Sequence, residues 1–294
     1  MERVRALLAP ERLGALEVGA LWHLAERLQF VRDNVEPAHL PADFAAQPGA
    51  EGLWGAFTAR EGAVLLALAE ASGRVGRALH DGALPPAAFR STWEGLGYTP
   101  HAEGGGTPAD DFLDGTFHIA RLTLGEARPA FGTVNMASRA RRIADFLAVT
   151  RPAAGDVVFD LGSGAGKLAL TVAASSAARV QGVELGPAYV EAARGSAARL
   201  GLGNAGFLLA DAREVDLSAG TIFYLYYPFH GEVARAVAGA LGRLGRERDI
   251  TVYASGPEGG YGEHFLAEVE RGSLRLCERR GEHADVLVLR SARA

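Results

Sequence analysis

Residues 157–170 read Val-Val-Phe-Asp-Leu-Gly-Ser-Gly-Ala-Gly-Lys-Leu-Ala-Leu. An apolar run closes on Asp160, glycines follow at alternate positions (Gly162, Gly164 and Gly166), and an apolar pattern at helical spacing begins at once. This order predicts a strand, a tight turn and a helix. Glycines at such a turn let backbone amides come close to a ligand that side chains would otherwise exclude.

The spacing separates two kinds of nucleoside site. A dinucleotide turn follows G-x-G-x-x-G and seats a pyrophosphate on the helix N-terminus. Here the third glycine comes one position early, and Lys167 stands where that pattern requires glycine. The spacing is instead acid-x-G-x-G-x-G, which resembles the nucleoside-binding turn of class I S-adenosylmethionine (SAM) methyltransferases. In that family the turn approaches the methionine part of the cofactor, which carries no phosphate. Val180 to Glu184 then predicts a second strand, ending in an acid 22 positions past Gly162 (184 − 162). A carboxylate about 20 residues on can bond ribose hydroxyls. Both cofactor classes use such an acid, so Glu184 supports a nucleoside ligand without choosing between them.

At 294 residues the chain can bury a substantial core and hold one or two domains. A hydrophobic content of 48% and a charged fraction of 22% are ordinary for a globular protein. The net charge of −5 gives no sign of general affinity for nucleic acid or anionic membrane. The basic residues are almost all arginine, and Lys167 is the sole lysine. A single cysteine, Cys277, excludes a disulfide framework and a Cys-rich zinc site. No apolar run approaches the ~20 residues of a membrane span, and Met1 to Pro10 lack a signal-peptide core. A cytoplasmic location is the expectation.

Residues 1–105 read as a helical N-terminal domain, with Leu21, Leu24, Leu28 and Val31 at helical spacing, then Leu65, Leu68, Val75 and Leu79. Trp22, His23 and Trp54 read as core packing. The glycine-rich stretch from His101 to Pro108 is the best linker candidate, so residues 106–294 are the expected cofactor-binding domain. Asn135 or Ser138 is placed to cap the helix that carries Ile143, Phe146 and Leu147. After the glycine turn, strands and helices alternate. Phe207 to Asp211, Thr221 to Phe229 and Ile250 to Gly256 read as strands, with a closing pair at Leu274–Cys277 and Val286–Leu289. The expected fold class is α/β: a Rossmann-like, class I methyltransferase sheet with helices on both faces, preceded by a mostly helical region. The closing pair suggests an antiparallel edge hairpin, which class I methyltransferases also have. Asp160, Glu184, Asp211 and Tyr226–Phe229 all fall near strand carboxyl ends, where ligands bind in such sheets.

Over roughly residues 131–245 the sequence resembles the disruptor-of-telomeric-silencing histone-lysine methyltransferases, which lack a SET domain. Asp160 to Lys167 is similar to that family's D-L-G-S-G-x-G-x. Phe131-Gly132-Thr133-Val134 resembles its Y-G-E-T lid, Glu184 its ribose acid, and Asp211-Ala212 an aspartate-phenylalanine pair near adenine. Ile222 to Phe229 resembles its I-F-V-N-N-F-A-F strand. Mitochondrial ATP-synthase lysine methyltransferases share much of this pattern. The departures are Thr133 for the lid glutamate, Leu225-Tyr226 for the asparagine pair, and no basic DNA-binding extension.

The resemblance implies SAM as cofactor, held by Phe131, Gly132, Thr133, Val134, Asp160, Gly162, Ser163, Gly164, Gly166, Lys167, Glu184, Asp211 and Ala212. It implies a methyl acceptor channel lined by Tyr226, Tyr227 and Phe229, with protein lysine as the leading acceptor; charge and composition give no strong nucleic-acid signal and no membrane partner. A lysine must arrive neutral, and desolvation among aromatic rings lowers its pKa. Tyr224 shares a strand face with Tyr226 and reads equally as packing. His230 is a candidate general base, though a lone histidine is more often a solvated loop residue. No histidine spacing suggests a metal site. Three alternatives stand beside this reading. One is a small-molecule methyltransferase with the N-terminal helices as a cap. The others are an NAD-linked oxidoreductase, opposed by Lys167, and a catalytically silent SAM-binding module.

Overall fold

The computed structural model describes residues 18–34, 50–101, 106–119, 137–256, 261–281 and 285–292. Four helices come first: α1 (Val18–Asn34), α2 (Ala50–His80), α3 (Pro86–Gly95) and α4 (Pro108–Phe117). Thr107 caps α4, its hydroxyl accepting from the Asp110 amide, and Pro108 supplies a pre-set first turn. Helix α5 (Ala140–Thr150) leads into the sheet. Its N-terminal residue is not held by Ser138, which hydrogen-bonds Tyr224 instead. The Ala140 amide donates to the carboxylate of Asp110, from α4. Asn135 lies outside the described residues.

Strands and helices then alternate: β1 (Val157–Leu161), α6 (Lys167–Ser175), β2 (Arg179–Glu184), α7 (Pro187–Arg199), β3 (Ala205–Leu209), β4 (Ile222–Tyr226), α8 (Gly231–Glu247), β5 (Thr251–Ser255), α9 (Tyr261–Glu270), β6 (Leu274–Arg280) and β7 (Val286–Ser291). The seven strands form one sheet in the order β3-β2-β1-β4-β5-β7-β6. The first five are parallel, and β7 runs antiparallel between β5 and β6. The closing pair is thus the edge hairpin that the sequence suggests. The order reverses direction at β1 and β4, so the carboxyl ends of these two strands flank the switch point where such sheets bind ligands.

The pleat sorts the core into two layers. Val158, Val180, Ile222 and Tyr224 point to one face, while Phe159, Leu161, Phe223 and Leu225 point to the other. The second face is covered by α8 and α9. Val233, Val237, Leu241 and Leu244 recur at helical spacing on α8 and are all buried there. On the first face, α5, α6 and α7 share one continuous core with the N-terminal helices. Leu21, Leu28, Phe57, Trp93 and Phe112 join Leu168, Val172 and Val158 in it. Leu65, placed on the apolar face by spacing, is half exposed, whereas Leu68 is buried. Among the described residues, no helix is long and apolar enough to cross a membrane.

Candidate functional site

The turn after β1 is held in a conformation open to glycine. Gly162 and Gly166 both have φ of +84°. The amides of Gly162 and Ser163 both donate to the carbonyl of Val183, at 2.9 and 3.0 Å, which ties the turn to β2. A β-carbon on Gly162 would stand 2.4 Å from Cβ of Pro228, so the loop after β4 lies directly on the turn. A β-carbon on Gly166 would stand 2.8 Å from the ring of Phe207. The Ser163 hydroxyl, beside Gly182, is buried with no hydrogen-bond partner among the described residues. Close packing against Pro228 and Phe207 thus demands glycine at both positions, and the unsatisfied hydroxyl suits a polar ligand at the turn.

The carboxylates gather at the same end. Glu184, the last residue of β2, accepts from the amide of Gly164 at 2.9 Å with one oxygen. Its other oxygen accepts from the amides of Leu185 and Gly186, each at 2.8 Å. These bonds fix the carboxylate beside the glycine turn, where it can also face a diol. Asp211 lies two residues beyond β3 and is bound by the guanidinium and the amide of Arg213, which hold its carboxyl below the usual range. Neighbouring Ala212 packs on the second core layer.

Asp160 is buried, and burial pushes its carboxyl up to about 7. The amide of Ala169 pulls the other way, and the nearby charge of Glu184 adds to the rise. The folded-state pKa exceeds the ordinary value, so the folded chain holds this proton from about pH 4 to about pH 7 while the unfolded chain releases it. Stability therefore falls as pH rises through that window. Asp160→Asn is expected to remove this slope and to be more stable than wild type at pH 8 in the absence of ligand, by on the order of a few kcal/mol. Urea midpoints at pH 5 and pH 8 test it; parallel curves for the two proteins would contradict it.

Strand β4 ends at Tyr226, earlier than the apolar run suggests, and Tyr227 turns out of it with φ of +46°. The Tyr227 amide donates to the carbonyl of Ser255 at 3.2 Å. Its ring lies so close over Gly256 that a β-carbon there would meet it at 2.4 Å. A left-handed tyrosine is uncommon, and here surrounding contacts hold it. Tyr226 and Tyr227 meet edge to face, with centroids 5.3 Å apart. Tyr224 is fully buried and stacks on Tyr253 at 5.6 Å, so it packs the core. Phe229 is buried in the second core layer with Val233 and Leu225, on the side away from Tyr226. The structure thus brings Pro228 to the turn, lays the Tyr227 ring over Gly256 and gives Phe229 to the core.

Lys167 opens α6, but its side chain runs into the protein. The ammonium lies 2.9 Å from Asp110 and 2.8 Å from Asp114, both on α4. The two carboxylates raise its pKa against a strong opposing effect of burial. The side chain thus joins the cofactor helix to the N-terminal helices. Phe131, Gly132, Thr133 and Val134 lie outside the described residues.

Residues 158–240 match the family model described as a methyltransferase domain. No curated protein sequence matches the chain. Among solved structures, the chain is similar to an RNA methyltransferase from Salinibacter ruber in complex with S-adenosyl-L-homocysteine, at 23% identity and a TM-score of 0.41 over 53% of this chain and 92% of that one. It is also similar to a precorrin-6y C5,15-methyltransferase from Geobacter metallireducens, at 17% identity and 0.41 over 55% and 92%. A third is a SAM-dependent O-methyltransferase from Thermotoga maritima, at 12% and 0.43 over 54% and 67%. The domain match, the sheet order and the glycine turn together define a SAM-dependent methyltransferase with the class I fold.

Proposed function

We propose that the enzyme is an N-methyltransferase whose acceptor is the side-chain amine of a protein lysine. The observation that carries this reading is the pair of rings, Tyr226 and Tyr227, that precede Pro228 in the loop seated on Gly162. Asp160 and the glycines shape the methionine pocket, and Glu184 takes the ribose. Asp211 and Ala212 border adenine.

When bound, SAM supplies an activated methyl group on a sulfonium with a good leaving group. The protein's work is then orientation and exclusion of water. The rings of Tyr226 and Tyr227 desolvate an incoming amine, which favours its neutral, nucleophilic form. Their faces also accommodate a cation. The left-handed turn at Tyr227 keeps its ring over Gly256, so the wall of the channel is set before the acceptor arrives.

A small-molecule acceptor is the second reading, and one observation favours it. The contact of Asp110 and Asp114 with Lys167 brings α4 to the start of the cofactor helix, where N-terminal helices can cap a closed pocket.

Calorimetric titration with S-adenosylhomocysteine, with NAD as comparator, tests the cofactor assignment. Glu184→Ala is expected to weaken binding about 10- to 100-fold, the worth of charge-assisted hydrogen bonds. Radiolabelled methyl transfer into a lysate then tests the acceptor. Label on lysine in the protein fraction supports the first reading, and label confined to metabolites supports the second. Equal affinity of Glu184→Ala and wild type would remove Glu184 from the nucleoside site.

A further inference from the structure

Three side chains from separate segments converge at α4. They are His23 of α1, His101 at the end of the segment after α3, and Asp111 of α4. One ring nitrogen from each histidine and one carboxylate oxygen lie within 4.8 Å of one another. His23 Nδ1 is 3.4 Å from Asp111 Oδ2, and His101 Nε2 is 2.6 Å from the same oxygen. The two imidazoles stack with centroids 4.0 Å apart. We infer that His23, His101 and Asp111 form a divalent transition-metal site, with zinc as the best-suited ion.

The chemistry of the donors supports this choice. Two imidazole nitrogens and one carboxylate oxygen are a borderline set that suits zinc over magnesium or calcium, which prefer all-oxygen sites. Zinc bonds of about 2.1 Å set tetrahedral ligand atoms about 3.4 Å apart. The separation of His23 from Asp111 already has that value. That of His101 from Asp111 has to open by less than an ångström from its hydrogen bond, a small change for a residue beside a glycine-rich segment.

Burial supports it as well. The Asp111 side chain is only 3% exposed, while the two histidines keep 24% and 23% of their side-chain surface. The ligands thus offer a firm base and an open side for entry and for a fourth ligand. The ion would fasten α1 and the His101 segment to α4, which also holds Lys167 through Asp110 and Asp114. The inference rests on the N-terminal helices and stands apart from the methyl acceptor.

The test uses the untagged full-length protein, stripped with chelator and titrated with zinc chloride, with magnesium chloride as comparator. Calorimetry is expected to give equimolar zinc binding and no magnesium binding, and the melting temperature is expected to rise with zinc. His23→Ala and His101→Gln are each expected to weaken zinc binding at least about tenfold. His264→Ala, on α9, is expected to leave it unchanged. His101→Gln can still hydrogen-bond Asp111, so an unchanged far-ultraviolet spectrum with lost zinc binding separates ligation from folding. Absence of equimolar zinc binding, or equal binding by wild type and both histidine variants, would overturn the assignment.

Discussion

Gly162→Ala is expected to lower methyl transfer at least about 100-fold, since ångström-scale misplacement of reacting groups has effects of that size. Two causes act together. At φ of +84° alanine is strained, by about 1–2 kcal/mol. Its β-carbon would also stand 2.4 Å from Cβ and 3.2 Å from Cα of Pro228. The second atom is backbone, so no rotamer change relieves the contact, and the turn and the acceptor loop must separate. That separation is the distance between donor and acceptor in the proposed reaction. Gly272→Ala is the control, because Gly272 has φ of +67° with open space where a β-carbon would be. It carries the strain without the contact, and Gly272 lies after α9, away from the turn. Turnover in Gly162→Ala that matched Gly272→Ala would show that the contact with Pro228 does not set the acceptor loop.

The parts of this enzyme that sequence reveals are those fixed by neighbours in the chain. The glycine turn, Glu184 at the end of β2 and the edge hairpin are local patterns, and each stands where the periodicity puts it. Phe229 shows how a motif match can mislead. The family resemblance puts Tyr226, Tyr227 and Phe229 in one channel, but Phe229 has the parity of Phe223 and Leu225 and lies with them in the second core layer, on the face away from Tyr226. The convergence of His23 with His101 was not legible either. They are 78 positions apart (101 − 23), and helix packing rather than ligand spacing brings them together. The ion cluster of Lys167 was hidden for the same reason: its partners lie 57 and 53 positions upstream (167 − 110 and 167 − 114).

Lys167→Met is expected to destabilise the protein by about 3–5 kcal/mol, the cost of removing one partner from a buried ion cluster. Methionine keeps the length and apolar stem of the side chain, so the loss is chiefly one of charge. It leaves Asp110 and Asp114 facing each other without a cation. In the wild type Lys167, helped by the Ala140 amide and the Thr107 hydroxyl, holds the Asp110 carboxyl below the usual range, whereas burial pushes that of Asp114 up. The pH dependence follows from these directions. The raised pKa of Lys167 keeps its contribution intact at all pH values below the ordinary lysine range. In the variant both carboxylates take up protons more readily, so the penalty is expected to shrink as pH falls from 8 towards 5. A triple variant, Lys167→Met with Asp110→Asn and Asp114→Asn, removes the uncompensated charge and is expected to recover much of the loss, since neutral replacements of buried ion clusters are often well tolerated. Urea unfolding of the three proteins at pH 8 and pH 5 decides the matter. A Lys167→Met protein within about 1 kcal/mol of wild type at pH 8, the usual range of an exposed ion pair, would mean that this contact does not fasten the N-terminal helices to the cofactor helix.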